Sequence, residues 1–275
     1  MARLESREYV YFTTVRGVCA RCAGAVPARV FFRDGGVWQQ RLCPHSSAPA
    51  QIAGDEAWYL CETLKAFPMK PPLPNAGQPR RGCPNDCGPC TWHAGGCESV
   101  ELLSSNVEDA RCAIEWLAAK WGSLDSIAIL TRNRTVAAEL PGQVILKAAI
   151  CDRDLPYGTR ITLEASLAEA GEALARISEF TDLTFCAGDV PVDELARRVC
   201  SASGGGLTLA GFLPEPPAHP LCRLRAEFRG RPVRVHSYMN TATFDCARVM
   251  LCPEWKLARP GTLVPGCVNH LSQED

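Results

Sequence analysis

The chain lacks a dominant charge: 29 Lys and Arg stand against 30 Asp and Glu, for a net charge of −1. No global field draws it to nucleic acid or to an anionic membrane surface. No stretch approaches the roughly 20 apolar residues of a bilayer span. The N-terminus MARLESREYVYF carries Arg3, Glu5, Arg7 and Glu8 and has no apolar export segment. These absences predict a soluble, cytoplasmic chain without a membrane span. Gly204-Gly205-Gly206 has no Lys-Ser/Thr and no GxGxxG pattern beside it, which excludes a phosphate loop there. No internal repeat is visible.

What the chain does have is apolar material, 47% of 275 residues, and 16 cysteines. That is enough for one substantial core with smaller satellites. In a reducing compartment, thiols in tight groups between Pro and Gly point to metal or redox chemistry, whereas small disulfide scaffolds spread theirs through a shorter chain.

Residues 9 to 43 run from a β-rich stretch through Cys19-Ala-Arg-Cys22, an alternating segment Val26 to Phe32, an Asp34-Gly35-Gly36 turn and a second β-rich stretch ending at Cys43-Pro44-His45. This is a knuckle plus a hairpin, with a second knuckle returning to the first. Cys19, Cys22 and Cys43 suit a mononuclear zinc or rubredoxin-like iron, with His45 or Cys61 completing a tetrahedron.

From Phe67 to Pro84 proline forbids helix and central strand, which makes a linker or draped arm. Within the loop that follows, Cys83-Pro-Asn-Asp-Cys87-Gly-Pro-Cys90 supplies three thiols at C-x3-C-x2-C, and Cys97 is the natural fourth. Irregular loops let thiolates converge on a cubane, so a 4Fe-4S cluster is expected here. The same spacing also holds three corners of the cluster in radical S-adenosylmethionine (SAM) enzymes. If Cys97 binds, SAM has no iron to chelate; if it does not, radical chemistry is open. The tail adds Cys222, Cys246, Cys252 and Cys267, a possible second cluster.

Between these groups, residues 106 to 121 read as a helix with Asn106 as N-cap, Gly122 as terminator and a stripe of Ala110, Ala113, Ile114, Leu117 and Trp121. Beyond it, β-rich runs at 127–130, 144–150, 160–163, 183–186 and 207–210 alternate with helical patterns at 166–179 and 192–199. Alternation of this kind predicts an α/β core, shortened, mainly parallel and partial-barrel-like. The resulting division is a metal-binding β-hairpin module over 1–66, a linker and cluster loop over 67–100, the α/β core over 101–215 and a cysteine-rich cluster module over 216–275. Cys112, Cys151, Cys186 and Cys200 fall inside the core pattern and read as small hydrophobes. Residues Arg223 to Val235 alternate like a hairpin around Arg229-Gly230, and Arg223, Arg225, Arg229, Arg231 and Arg234 read as a solvated strand face. His219 and His236 read as hydrogen-bonded spacers.

Several of these segments resemble the radical SAM family that includes archaeal tetraether lipid synthase and related methylases. They are Cys19-x2-Cys22 with Cys43-Pro44, the CPNDCGPC segment Cys83 to Cys90, His219-Pro220-Leu-Cys222, His236 to Asp245, Arg248 to Cys252, and Val264-Pro265-Gly-Cys267. The resemblance covers roughly the first hundred and the last sixty residues. It implies auxiliary-cluster ligands at the matching cysteines, with Cys246 as a substitute where Pro253 follows Cys252. The family's second C-x3-C-x2-C, which binds SAM, and its Gly-Gly-Glu-Pro element are absent. The resemblance thus implies a reduced relative, an electron-transfer or accessory protein working beside a catalytic partner. An active radical SAM enzyme using Cys83, Cys87 and Cys90 is the alternative.

Overall fold

Asp34 and Gly35 adopt positive φ values of 53° and 75° between paired Arg33 and Gly36, the two-residue turn expected of an Asp-Gly hairpin. Around it the computed structural model forms an antiparallel four-stranded sheet, β1 (Val10–Val18), β2 (Ala25–Arg33), β3 (Gly36–Arg41) and β4 (Pro49–Ala53), followed by helix α1 (Glu56–Thr63). The structure describes residues 8–19, 21–22, 24–45, 47–63, 76–78, 80, 88–93, 96–152, 155, 160–188, 190–215 and 218–271.

Further along the chain come β5 (Ser99–Leu102), α2 (Val107–Trp121), β6 (Ala128–Thr131), α3 (Arg134–Glu139), β7 (Ile145–Ala149), β8 (Arg160–Ala165), α4 (Ala170–Ala175), β9 (Asp182–Ala187) and α5 (Val192–Ala202); the linker expected over 67–84 lies mostly outside the described residues. The remainder supplies β10 (Leu213–Pro214), β11 (Arg223–Phe228), β12 (Arg231–Ser237), α6 (Cys246–Val249), β13 (Glu254–Leu257), β14 (Leu263–Pro265) and α7 (Gly266–Leu271). All ten strands from β5 onward form one sheet in the order β10-β11-β12-β9-β8-β7-β6-β5-β13-β14, curled into a half-barrel. The pairings from β12 through to β13 are parallel, and the edge pairings are antiparallel. The protein is therefore mixed α/β. The C-terminal strands close both edges of the same sheet.

Alternation along each parallel strand sorts the side chains onto two faces. Val100, Leu102, Ile129, Leu146, Leu163, Phe185 and Trp255 are buried under the helices. Each such side chain contributes roughly 1.5–3 kcal/mol by leaving water. The residues in between, Glu101, Lys147, Glu164, Cys186, His236 and Lys256, line a cavity on the inner face. Loops at the strand ends carry the thiols to this body.

Helix α2 follows its sequence signals. Asn106 Oδ1 accepts from the Asp109 N–H at 2.9 Å, Gly122 closes the helix at φ 77°, and Ala110, Ala113 and Leu117 are buried. The expected continuous helix at 166–179 is instead α4 between two short 3-10 turns, with Ser166 and Glu169 forming a capping box at the first. Residues 207–210 do not form a strand: Leu207 is buried, 208–210 face solvent, and a 3-10 turn starts at Leu209. Without alternating burial there is no face to pair against a sheet.

The N-terminal sheet is fastened to the body. Gly54 N–H donates to Asp193 Oδ2 at 2.9 Å, and Asp193 also pairs with Arg197 at 3.0 Å. Gln39 Nε2 donates to the Phe244 carbonyl at 2.9 Å, and Arg41 Nη1 to that of Thr241 at 3.0 Å. Among the described residues, no helix is long and apolar enough to cross a membrane.

Candidate metal centres

The first thiol group sits where β1 ends and where β3 ends. The Cys19 N–H donates to the Gly24 carbonyl at 3.0 Å, folding the first knuckle, and the Leu42 N–H donates to Pro27 at 2.7 Å, bringing the second beside it. The ligand atoms of Cys19, Cys22, Cys43 and His45 all lie within 4.8 Å of one another, and Cys43 Sγ is 3.5 Å from His45 Nδ1. Donors around a tetrahedral zinc, at bonds of about 2.0–2.3 Å, sit roughly 3.5 Å apart, so these four could hold one metal ion. Cys19 and Cys43 are buried, while Cys22 and His45 are exposed. The Cys22 backbone N–H, helped by the Cys43 thiol and the Arg21 N–H and opposed by burial, brings the Cys19 thiol down to about 6. For Cys22 the Gly24 N–H acts downward but is outweighed by the neighbouring Cys19 sulfur, and its thiol is raised. Of the two fourth ligands that the sequence left open, His45 joins the group, and Cys61 lies exposed on α1 outside it.

A second group assembles from distant parts of the chain. Cys222 precedes β11, Cys252 precedes β13 and Cys267 opens α7; all three are buried and line one narrow pocket with His219 and Arg248. Cys267 donates to Cys252, which holds the Cys252 thiol down and pushes Cys267 well up. Burial pushes Cys222 up, opposed by the Arg248 guanidinium. Arg248 Nη2 donates to Cys222 Sγ at 3.3 Å and to the Leu221 carbonyl at 3.0 Å, and its buried Nε has no hydrogen-bond partner among the described residues. Among the described residues no carboxylate forms an ion pair with Arg248, although Asp245 on the same turn contributes to its field. A buried cation without a counter-charge is costly. Thiolates are the acceptors at hand, and thiols become thiolates when they ligate metal.

Cys246 does not line this pocket. It lies on α6 in an apolar cluster with Met239, Phe244, Val249 and Cys267. His219 accepts from the Leu221 N–H through Nδ1 at 3.2 Å, which leaves its proton on Nε2 and makes it a donor within the pocket.

Of the third group, Cys83 and Cys87 lie outside the described residues. Cys90 is half-buried beside Gly77, and Cys97 is half-buried against the core below β5, its sulfur 3.8 Å from the Ser99 carbonyl. The loop that carries them is pinned to the second group. Buried His93 bonds through Nε2 to the Cys252 carbonyl at 2.7 Å and packs on Trp255 with ring centroids 4.5 Å apart, and Trp255 Nε1 donates to the Gly96 carbonyl at 3.0 Å. Burial lowers the His93 pKa, so the ring is neutral.

Two expectations are corrected on the inner face. Arg223 is no solvated strand residue: it is buried and pairs with Glu98 at 2.8 Å and with Glu215 and Glu254 at 3.0 Å, because its strand position points into the half-barrel. Cys186 is no hydrophobe in an apolar core, since its sulfur donates to Glu164 Oε1 at 3.0 Å. His219 and Arg248 head segments of the family resemblance but were given no part in a pocket, and the Glu101–Lys147–Glu164 network carried no motif. The only available signal was Glu, Lys and Arg at alternate positions of otherwise apolar strands. No protein-family model matches the chain, and no curated protein matches it.

Proposed function

We propose that the chain is an iron–sulfur protein that carries electrons or serves as an accessory subunit for a catalytic partner. In this reading Cys19, Cys22, Cys43 and His45 hold a mononuclear metal. A three-sulfur, one-nitrogen donor set favours zinc over a rubredoxin-like iron. Cys222, Cys252 and Cys267 hold a 4Fe-4S cluster, and Cys83, Cys87, Cys90 and Cys97 hold another. The observation that carries the reading is the buried Arg248 guanidinium against Cys222, without a carboxylate ion-pair partner among the described residues. A cluster with thiolate ligands supplies the missing negative charge, whereas three protonated thiols do not. A bound cluster supplies reversible one-electron transfer. The chain's own residues shield it: Cys222, Cys252 and Cys267 are buried, and the His93 bond to Cys252 keeps the second thiol loop beside them.

The resemblance to radical SAM enzymes, together with the missing second C-x3-C-x2-C, supports an accessory role over catalysis. The test is iron, zinc and acid-labile sulfide analysis of protein purified without oxygen, followed by incubation with SAM and a strong reductant. The reading expects sulfide in amounts matching the iron, about one zinc per chain, and no 5′-deoxyadenosine. Iron and sulfide both absent would leave a structural zinc protein. Steady formation of 5′-deoxyadenosine would make the chain an active radical SAM enzyme.

A further inference from the structure

The inner face of the half-barrel surrounds a cavity of about 280 Å³ whose walls carry many charged side chains among apolar ones such as Leu130, Ile145 and Trp255. That volume is near the lower end for small-ligand sites. On one side Glu101 accepts from Lys147 at 3.0 Å, from Arg132 at 2.8 Å and from Lys256, and Glu164 meets Lys147 at 3.4 Å. Across the cavity Arg223 pairs with Glu98, Glu215 and Glu254, and Arg234 pairs with Asp182 at 2.9 Å and Glu215 at 3.0 Å. Neutral hydroxyls come from Thr162 and Thr184.

Ligand classes can be excluded by charge. An apolar ligand would strip water from these groups and return no hydrogen bond, at a cost of several kcal/mol. A ligand of one sign would add an uncompensated charge to walls whose cations and carboxylates already pair with one another. A small molecule carrying both signs satisfies both walls. We infer that the inner cavity binds a small zwitterion of the α-amino-acid type, its carboxylate toward Lys147 and Lys256 and its ammonium toward the carboxylates around Arg223 and Arg234. Arg223, His236 and Glu254 line this cavity and also the pocket of Cys222, Cys252 and Cys267. The bound molecule would therefore lie one layer of side chains from the buried thiols. The inference goes beyond the metal reading and does not depend on which metal the thiols hold.

The experiment is thermal melting of the full chain with each proteinogenic amino acid as probe, followed by calorimetric titration of any that raises the melting temperature. Each active probe is compared with its decarboxylated amine and its deaminated acid. At about ten times its Kd an amino acid is expected to raise Tm by about 3 °C, and the single-charge analogues by much less. Thr184→Leu fills the cavity without removing an ion pair and is expected to abolish the shift; Thr162→Leu does the same from the neighbouring strand should the first variant not fold. The inference is overturned if no amino acid shifts Tm, if the amine or the acid alone matches its parent, or if the shift survives the leucine variants. Absence of iron and sulfide from protein purified without oxygen would refute the cluster reading, and amino-acid binding by that same protein would leave this inference standing.

Discussion

The two thiol groups that the structure fully describes are built in opposite ways. At the N-terminal knuckle, four donors come from two turns of one small sheet, two of them face solvent, and backbone N–H groups bring Cys19 toward its thiolate. At the C-terminal pocket, three buried thiols arrive from separate ends of a ten-stranded sheet, and a buried guanidinium takes the place of those N–H groups. The knuckle is a local construction that metal can assemble around itself. The pocket exists only when the whole sheet does, which couples its occupancy to global stability.

The largest effect should follow from Cys222→Ala. In the proposed reading it removes a cluster ligand, and it leaves Arg248 buried without its sulfur acceptor, at a cost of about 3–5 kcal/mol. Urea unfolding should show a lower midpoint with an unchanged slope, and metal analysis should show iron and sulfide reduced with zinc retained. Equal loss of zinc would erase the distinction between the two regions.

Acid should weaken the C-terminal wall first. Burial, together with Arg223 and Lys147 and against Glu254, lowers His236 from 6.5 to about 4. The unfolded chain takes up this proton near pH 6.5 and the folded chain only near 4, so stability falls as pH drops through that window, by about 3 kcal/mol in all. Glu101 extends the loss: burial raises its pKa, but Lys147, Lys256 and Arg132 outweigh that and hold it at about 2 instead of 4.5. Its share is complete above pH 4.5 and disappears as pH falls toward 2. Chemical denaturation at stepped pH should show the first slope, and His236→Gln should flatten it in part, the remainder belonging to His219, which burial and Arg248 lower to about 3.

The junction comes next. A Cβ on Gly54 would lie 2.5 Å from Arg197 Nη2 and 3.1 Å from Asp193 Oδ2. Gly54→Ala should cost about 2 kcal/mol and split one calorimetric transition into two as the N-terminal sheet uncouples. A single sharp transition in that variant would mean that the contacts of Gln39 and Arg41 alone hold the regions together. The smallest effect on stability belongs to His45→Ala. It should weaken zinc binding at least about a hundredfold in competition with a chelator and move the main melting transition by less than about 2 °C.

The same contrast explains what could be read in the sequence. Cys19, Cys22 and Cys43 were legible as a group because knuckles and an Asp-Gly turn are local chemistry, and the choice between His45 and Cys61 turned on where α1 lies. Helix α2 was legible through Asn106 and Gly122. Cys222, Cys252 and Cys267 were candidates as thiols and through the resemblance, and Cys246, offered there as a substitute ligand, could not be excluded, since nothing in a spacing of this length says which sulfur points inward. Arg223 read as a solvated strand residue, and nothing singled out Arg248 as buried, because burial of a long cation depends on partners dozens of residues away. The α4 region was read as one helix because its apolar period is helical throughout; the break is made by 3-10 turns at both ends, which that period does not encode.

X-ray absorption at the zinc and iron edges of anaerobically purified protein tests the division most directly. The account expects zinc bound by three sulfurs and one nitrogen, iron bound by sulfur with strong iron–iron scattering, and a loss of part of that scattering in Cys222→Ala while the zinc spectrum stays the same. Metal present solely as isolated zinc, with no iron–iron scattering, would contradict it.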